Sequence, residues 1–223
     1  MINGAAMGEV FDGKSFDTFD VSAGNQAAFE ACKRVAVNGD RGIVIFGSNG
    51  LGKSHLLASL AKEFHRLRLY APPEAATENM VEIPSLKELM DMQFDDEETA
   101  APYLLREEIH REAHVEFWPS LDLVAALRKD ALEGQVVERC MRCDLLLLDD
   151  IGREKVNDFI GQEFQRIIDY RWRMKRTTAI ATNMSRTQIA AKYGAHTASR
   201  LADACEFVDV KGDDYRIKRN KGA

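Results

Sequence analysis

The sequence predicts an α/β fold: a central parallel sheet of five strands with helices on both faces. Three observations predict it. Short apolar runs with no wet face recur along the chain, "GIVIF" at 42–46 and "CDLLLLDD" at 143–150 being the plainest. Stretches with apolar residues at helical spacing separate them, and a glycine-rich turn, "GSNGLGKSH" at 47–55, joins one such run to one such helix. Strands apolar on both sides are buried on both sides, which calls for parallel strands joined by helical crossovers.

The elements follow in order. "GNQAAFEACKRVAVNG" is an amphipathic helix with Phe29, Cys32, Val35 and Ala36 on one side; "GIVIF" is the first strand; "KSHLLASLAKEFHRL" is the next helix. "HVEFW" reads as a strand and "SLDLVAALRKDALEGQVVERC" as a helical stretch. After "CDLLLLDD", the run "VNDFIGQEFQRIIDYRWRMK" repeats apolar residues at Val156, Phe159, Ile160, Phe164, Ile167 and Ile168. "TTAIATN" is a strand, "RTQIAAKYG" and "TASRLADA" are short helices, and "EFVDV" closes the sheet.

Composition sets outer bounds. A chain of 223 residues with 45% hydrophobic content can bury a sizeable core. A net charge of -6 gives no whole-chain argument for nucleic-acid binding. No run reaches the roughly 18 apolar residues of a membrane span, and "MINGAAMGEV" lacks a basic flank before an apolar stretch. A cytoplasmic protein with no membrane partner is expected. Cys140 and Cys143 form a C-x-x-C, but Cys32 and Cys205 are isolated, so buried thiols are expected in preference to a zinc or redox site.

Charge is unevenly spread. Residues 71–113 carry twelve acidic residues against three basic ones and include the pair Pro72 and Pro73. They read as an acidic, partly helical insertion in a module spanning 16–219, with an N-terminal extension at 1–15 and a tail at 220–223.

Within the predicted sheet, Gly47, Ser48, Asn49, Gly50, Leu51, Gly52, Lys53 and Ser54 match G-x-x-x-x-G-K-[ST], with His55 next, between a strand and a helix. Glycines let backbone N–H groups turn toward phosphate oxygens, the following helix directs its positive end at them, and Lys53 adds a point charge near the β and γ phosphates of ATP or the last phosphate of ADP. Ser54 offers a hydroxyl to Mg²⁺. The partner acid follows the leucine run: Asp149 is placed to hold Mg²⁺ with Ser54, and Asp150 to orient or deprotonate the attacking water. Asn183, closing "ATN", can sense a water or the γ-phosphate with its amide.

These pieces, in this order, resemble AAA+ ATPases, and more narrowly the branch holding DnaA, DnaC, DnaI and IstB. "SFDTFDVSAGNQAAFEA", "GSNGLGKSHLLASLA", "CDLLLLDDIGRE", "TAIATN" and "ASRLADACEFVDVKGDDYR" carry the resemblance. It implies the roles given above and adds one: Arg200, in "ASRLAD", corresponds to an arginine finger that enters a neighbouring subunit's ATP site. A homo-oligomer, or contact with a related ATPase, is thereby implied.

Some features depart from that pattern. Asp150 stands where most AAA+ proteins carry Glu, and a module without a C-terminal lid domain or a loader's N-terminal helicase-binding domain is expected. The resemblance places single-stranded DNA near residues 120–142. "YRWRMKR" at 170–176 reads equally as a nucleic-acid contact and as the basic end of a helix. Three functions are consistent with these features: a loader or initiation accessory acting on a replicative helicase, an IstB-like regulator of a transposase, and a nucleotide-gated protein-binding module with little turnover.

Overall fold

Six parallel strands form one sheet in the computed structural model, which describes residues 2–3, 12–39, 41–70, 113–212 and 214–215. The acidic segment up to residue 112, most of the N-terminal extension and the basic stretch 216–223 lie outside the described residues. The elements are β1 (Ile2–Asn3), α1 (Gln26–Asn38), β2 (Gly42–Phe46), α2 (Lys53–Tyr70), β3 (Val115–Pro119), α3 (Ser120–Lys129), α4 (Gln135–Arg142), β4 (Leu145–Ile151), α5 (Asp158–Arg173), β5 (Thr177–Thr182), α6 (Arg186–Tyr193), α7 (Ala195–Ala204) and β6 (Cys205–Asp209). The strand order is β1-β3-β4-β5-β2-β6.

The five expected strands are all present, and β1 extends the sheet at one edge by pairing Ile2 with Val115 and Asn3 with Glu116. Two residues are too few for any periodicity to mark them, so the sequence placed them in the extension. The helical stretch after β3 is two helices. The Asp130 carboxylate accepts the Val136 N–H at 2.5 Å, capping the second helix and turning the chain between them.

Side-chain alternation explains the uninterrupted apolar strands. Leu145 and Leu147 of β4 face one core with Ile43, Ile45, Ala179 and Ala181, under α1 and α2. Leu146 and Leu148 face the other with Val44, Ile180, Phe164 and Ile167, under α3 to α7. Each strand therefore buries both faces, and the sheet is the middle of three layers.

Glu116 and Arg171 are the most deeply buried of the charged side chains among the described residues. Glu116 in β3 is fully buried and is held by Arg139 at 2.8 Å, His114 at 2.8 Å and Trp118 Nε1 at 3.0 Å. Arg171 in α5 is 1% exposed and donates to the carbonyls of Cys140, Met141 and Cys143, to that of Thr177, and to Thr178 Oγ1. Its guanidinium thus fastens the last turn of α4, whose carbonyls have no helical partner, to the start of β5.

The cysteines are buried and free. Burial pushes the Cys143 thiol up to about 11 and raises that of Cys140 as well, so thiolate chemistry is disfavoured at the C-x-x-C. No described helix is long and apolar enough to cross a membrane.

Candidate nucleotide site

The carboxyl ends of β2, β5 and β4 lie side by side, with Phe46 opposite Thr182 and Leu148 opposite Ile180. Each of these strands delivers part of the site, at the edge where open parallel sheets bind ligands.

From β2 the chain enters the glycine loop. Gly50 and Gly52 take φ of 74° and 81°, a conformation that side-chain-bearing residues rarely adopt. Space is closed at both positions: a Cβ on Gly50 would lie 1.8 Å from the Asp214 carboxylate, and one on Gly52 would lie 2.8 Å from the Phe19 ring. The loop runs into α2, whose first residue is Lys53.

Lys53 is 6% exposed, and its ammonium donates to the carbonyls of Gly47 at 2.9 Å and Ser48 at 2.6 Å and to Asn183 Oδ1 at 2.8 Å. The Asn183 amide in turn donates to Asn49 Oδ1 at 2.8 Å. Beside them, Ser54 Oγ donates to Asp149 Oδ1 at 3.0 Å. Lys53, Ser54, Asn49, Asp149 and Asn183 are therefore one connected polar cluster drawn from three strand ends.

A β-bulge between Leu148 and Ile151 carries the two acids. Bulges re-aim side chains next to sites. Asp150 is left-handed, with φ 55°, a conformation that Asp tolerates better than most residues. Its N–H donates to Asp149 Oδ1 at 3.0 Å and its carbonyl accepts from Ser120 Oγ at 2.9 Å. Burial pushes the Asp149 carboxyl above the usual range, the Ser54 hydroxyl opposes that, and the neighbouring Asp150 charge adds to it. The Asp150 carboxylate is more open and pairs with Arg153 at 2.9 Å.

The following loop is clamped from α6. Lys192 donates to the carbonyls of Gly152 and Glu154, and buried Glu154 accepts from Tyr193 Oη and from the Gly152 N–H at 3.0 Å.

Residues that sequence reasoning passed over line the loop's outer side. Ser15, Thr18 and Phe19 meet His55, whose Nε2 lies 2.9 Å from the Ser15 carbonyl and whose ring meets Phe19 edge-on. Phe19 stacks on Phe29 of α1. The spacing of Phe16, Phe19 and Phe29 was the available signal. At the other end of the chain, Tyr215 N–H donates to the Gly50 carbonyl at 3.0 Å.

Arg200 stands apart from this cluster. It lies on α7, against Trp172 and Asp169 of α5. The basic stretch 170–176 is largely used within the fold: Arg171 is buried, Arg173 pairs with Asp169, and Arg176 binds the Arg142 carbonyl at 2.6 Å. Its reading as a nucleic-acid contact loses most of its basis.

Known proteins resemble this chain in sequence and fold. The IstB-like ATP binding protein family model matches residues 78–223, and the bacterial DnaA ATPase domain model matches residues 12–110. The glycine loop falls in the second match and Asp149, Asp150, Asn183 and Arg200 in the first. No curated protein matches the chain. The crystal structure of the DnaC helicase loader superposes with a TM-score of 0.65 at 18% identity, covering 90% of this chain and 98% of that one. The crystal structure of DnaI gives 0.65 at 16%, covering 95% and 98%. Replication initiator DnaA bound to AMPPCP and single-stranded DNA gives 0.64 at 20%, and the chain, 95% covered, spans 54% of that protein. These identities speak to fold alone. With the family model covering well over half of its length, the chain belongs to the IstB-like ATP-binding proteins, in the AAA+ branch that also holds DnaA, DnaC and DnaI.

Proposed function

We propose that this ATP-binding module also hydrolyses ATP and acts as a DNA-replication helicase loader or initiation accessory through nucleotide-controlled assembly. The observation that carries the reading is the cluster of Lys53, Asn183, Ser54 and Asp149, in which the lysine is already held at the glycine loop by carbonyls of Gly47 and Ser48.

The chain's own groups account for each part of the reaction. Loop N–H groups, the N-terminus of α2 and Lys53 take the β and γ phosphates, the lysine exchanging its present acceptors for phosphate oxygens. The Ser54 hydroxyl and the Asp149 carboxylate suit Mg²⁺: both are hard oxygen donors, adjacent at 3.0 Å, and the carboxylate's charge is disfavoured by burial until a cation meets it. Phosphate oxygens and water would complete the coordination of such an ion. Bound there, Mg²⁺ would offset charge on the β and γ phosphates. Asp150 leaves its pairing with Arg153 and accepts the proton of the water that attacks the γ-phosphorus. The bond from that phosphorus to the bridging oxygen breaks, its electron pair stays with ADP, and inorganic phosphate is released. Asn183 holds the water or a γ-oxygen, and Arg200 of a second copy meets the developing charge.

The DnaA neighbour was solved with single-stranded DNA and the DnaC neighbour is a helicase loader, which supports the replication reading. Exposed Arg128 and Lys129 at the end of α3 are the candidate DNA contacts. The family match favours a second reading, an IstB-like ATPase that binds DNA and regulates a transposase. Binding of the chain to single-stranded and duplex DNA of equal length, with ATP and with ADP, separates them. A loader prefers single strands by about tenfold or more in ATP; duplex preference transfers the chain to the transposition reading. ATP binding without phosphate release under any of these conditions would reduce it to a nucleotide-gated protein-binding module.

A further inference from the structure

Arg200 does not project freely from α7. Its guanidinium carbon lies 3.4 Å from the centre of the Trp172 ring, at full stacking contact. The ring is itself fixed, because Trp172 Nε1 donates to Asp203 Oδ2 at 2.6 Å. Arg200 and Asp203 are three residues apart on α7, so one helix face supplies both the group on the ring and the anchor at its edge. Asp169, one turn before Trp172 on α5, lies 3.4 Å from Arg200 Nε but makes no hydrogen bond to it, and shares its charge with Arg173 at 3.1 Å. The side chain of Arg200 is 30% exposed.

The ring contact covers one side of the guanidinium and Nε is buried, which leaves the terminal nitrogens as the groups with which this arginine would fork onto phosphate. A long side chain with many rotamers loses most of its effectiveness when it must be ordered at the moment of reaction; one already ordered does not. We propose that Trp172 is a positioning residue for the arginine finger, an aromatic shelf anchored by Asp203 that presents Arg200 to the phosphates bound on a second copy. This rests on the assembly reading of Arg200 given above, and it adds a residue that touches neither nucleotide nor phosphate.

The test is phosphate release from the full chain at concentrations where it assembles. Trp172→Ala is expected to lower turnover about tenfold with nucleotide affinity, read by a fluorescent ATP analogue, within about twofold of wild type. Trp172→Phe, which keeps a ring face, stays within about threefold, and Asp203→Asn, which loosens the anchor without opening the core, falls between. Because the defect lies in the finger and not in the chain's own site, mixing Trp172→Ala with Lys53→Ala raises turnover above that of either variant alone. Unchanged turnover in Trp172→Ala beside a disabled Arg200→Ala overturns the shelf and leaves the finger. A loss in Trp172→Ala that mixing does not rescue also overturns it, since the damage is then to that chain's own site. Wild-type turnover in Arg200→Ala is a different result: it removes the finger reading itself.

Discussion

Among the described residues two cations are buried, Arg171 and Lys53, and both are wrapped in carbonyl oxygens. Arg171 is clasped by carbonyls of the last turn of α4, of the buried Cys143 that caps it and of the start of β5. Lys53 is held by carbonyls of Gly47 and Ser48 in a glycine loop and by the amide of Asn183. The chemistry of the contacts is the same; the surroundings differ. Around Arg171 nothing can move without exposing carbonyls that no other group would satisfy. Around Lys53 the acceptors belong to a loop and a side chain, and a phosphate could replace them. A buried charge is a staple where its partners are rigid and a site where they can be exchanged.

Substitutions break the comparison in opposite ways. The largest effect is expected at Arg171: Arg171→Met leaves several buried carbonyls unpaired and should cost about 3–5 kcal/mol of unfolding free energy in urea denaturation. Lys53→Ala should lower phosphate release by about 10³-fold and weaken ATP binding sharply, with a melting temperature close to wild type. If Lys53→Ala melts as low as Arg171→Met, both cations are structural and the contrast fails. Asp150→Asn sharpens the point within the site, because Asn also tolerates the left-handed backbone; turnover should fall about 10²-fold while affinity for ATP stays within about threefold.

The smallest expected effect concerns His55. Burial pushes its imidazole below the usual value, the Ser15 carbonyl opposes the shift, and Lys14 and Lys62 reinforce it. With the folded value depressed, the unfolded chain binds the proton first, so stability is present above about pH 6.5 and declines as pH falls through the lower folded value. His55→Asn, with no proton to gain, should flatten that limb of a pH series of melting temperatures. An unchanged slope would assign it to the carboxylates.

Much of this was legible in the sequence. The leucine run of β4 announced burial on both faces, and the glycine loop, the paired acids and Asn183 announced their places at strand ends, because strand and helix periods and the needs of a phosphate are local properties. What escaped was long-range. The partners of Arg171 lie on α4, on the turn after it and on β5, and its place in "YRWRMKR" suggested a surface. Nothing in "HVEFW" showed that Arg139, His114 and Trp118 would close around Glu116. Ile2–Asn3 became a strand only because Val115 and Glu116 offered an open edge. The contact of Asp214 with Gly50 joins residues 164 positions apart, a distance no spacing rule covers.

The clamp at α6 has a consequence for how such a chain can change over generations. Lys192 and Tyr193 grip the loop beyond the two acids, and after Gly194 the backbone passes straight into the helix bearing Arg200. The loop beyond the two acids and the helix bearing Arg200 thus share one eight-residue support. A mutation that tilts α6 reaches both at once. Substitutions in α6 therefore act on the acid loop and on Arg200 together, and the two vary as one trait.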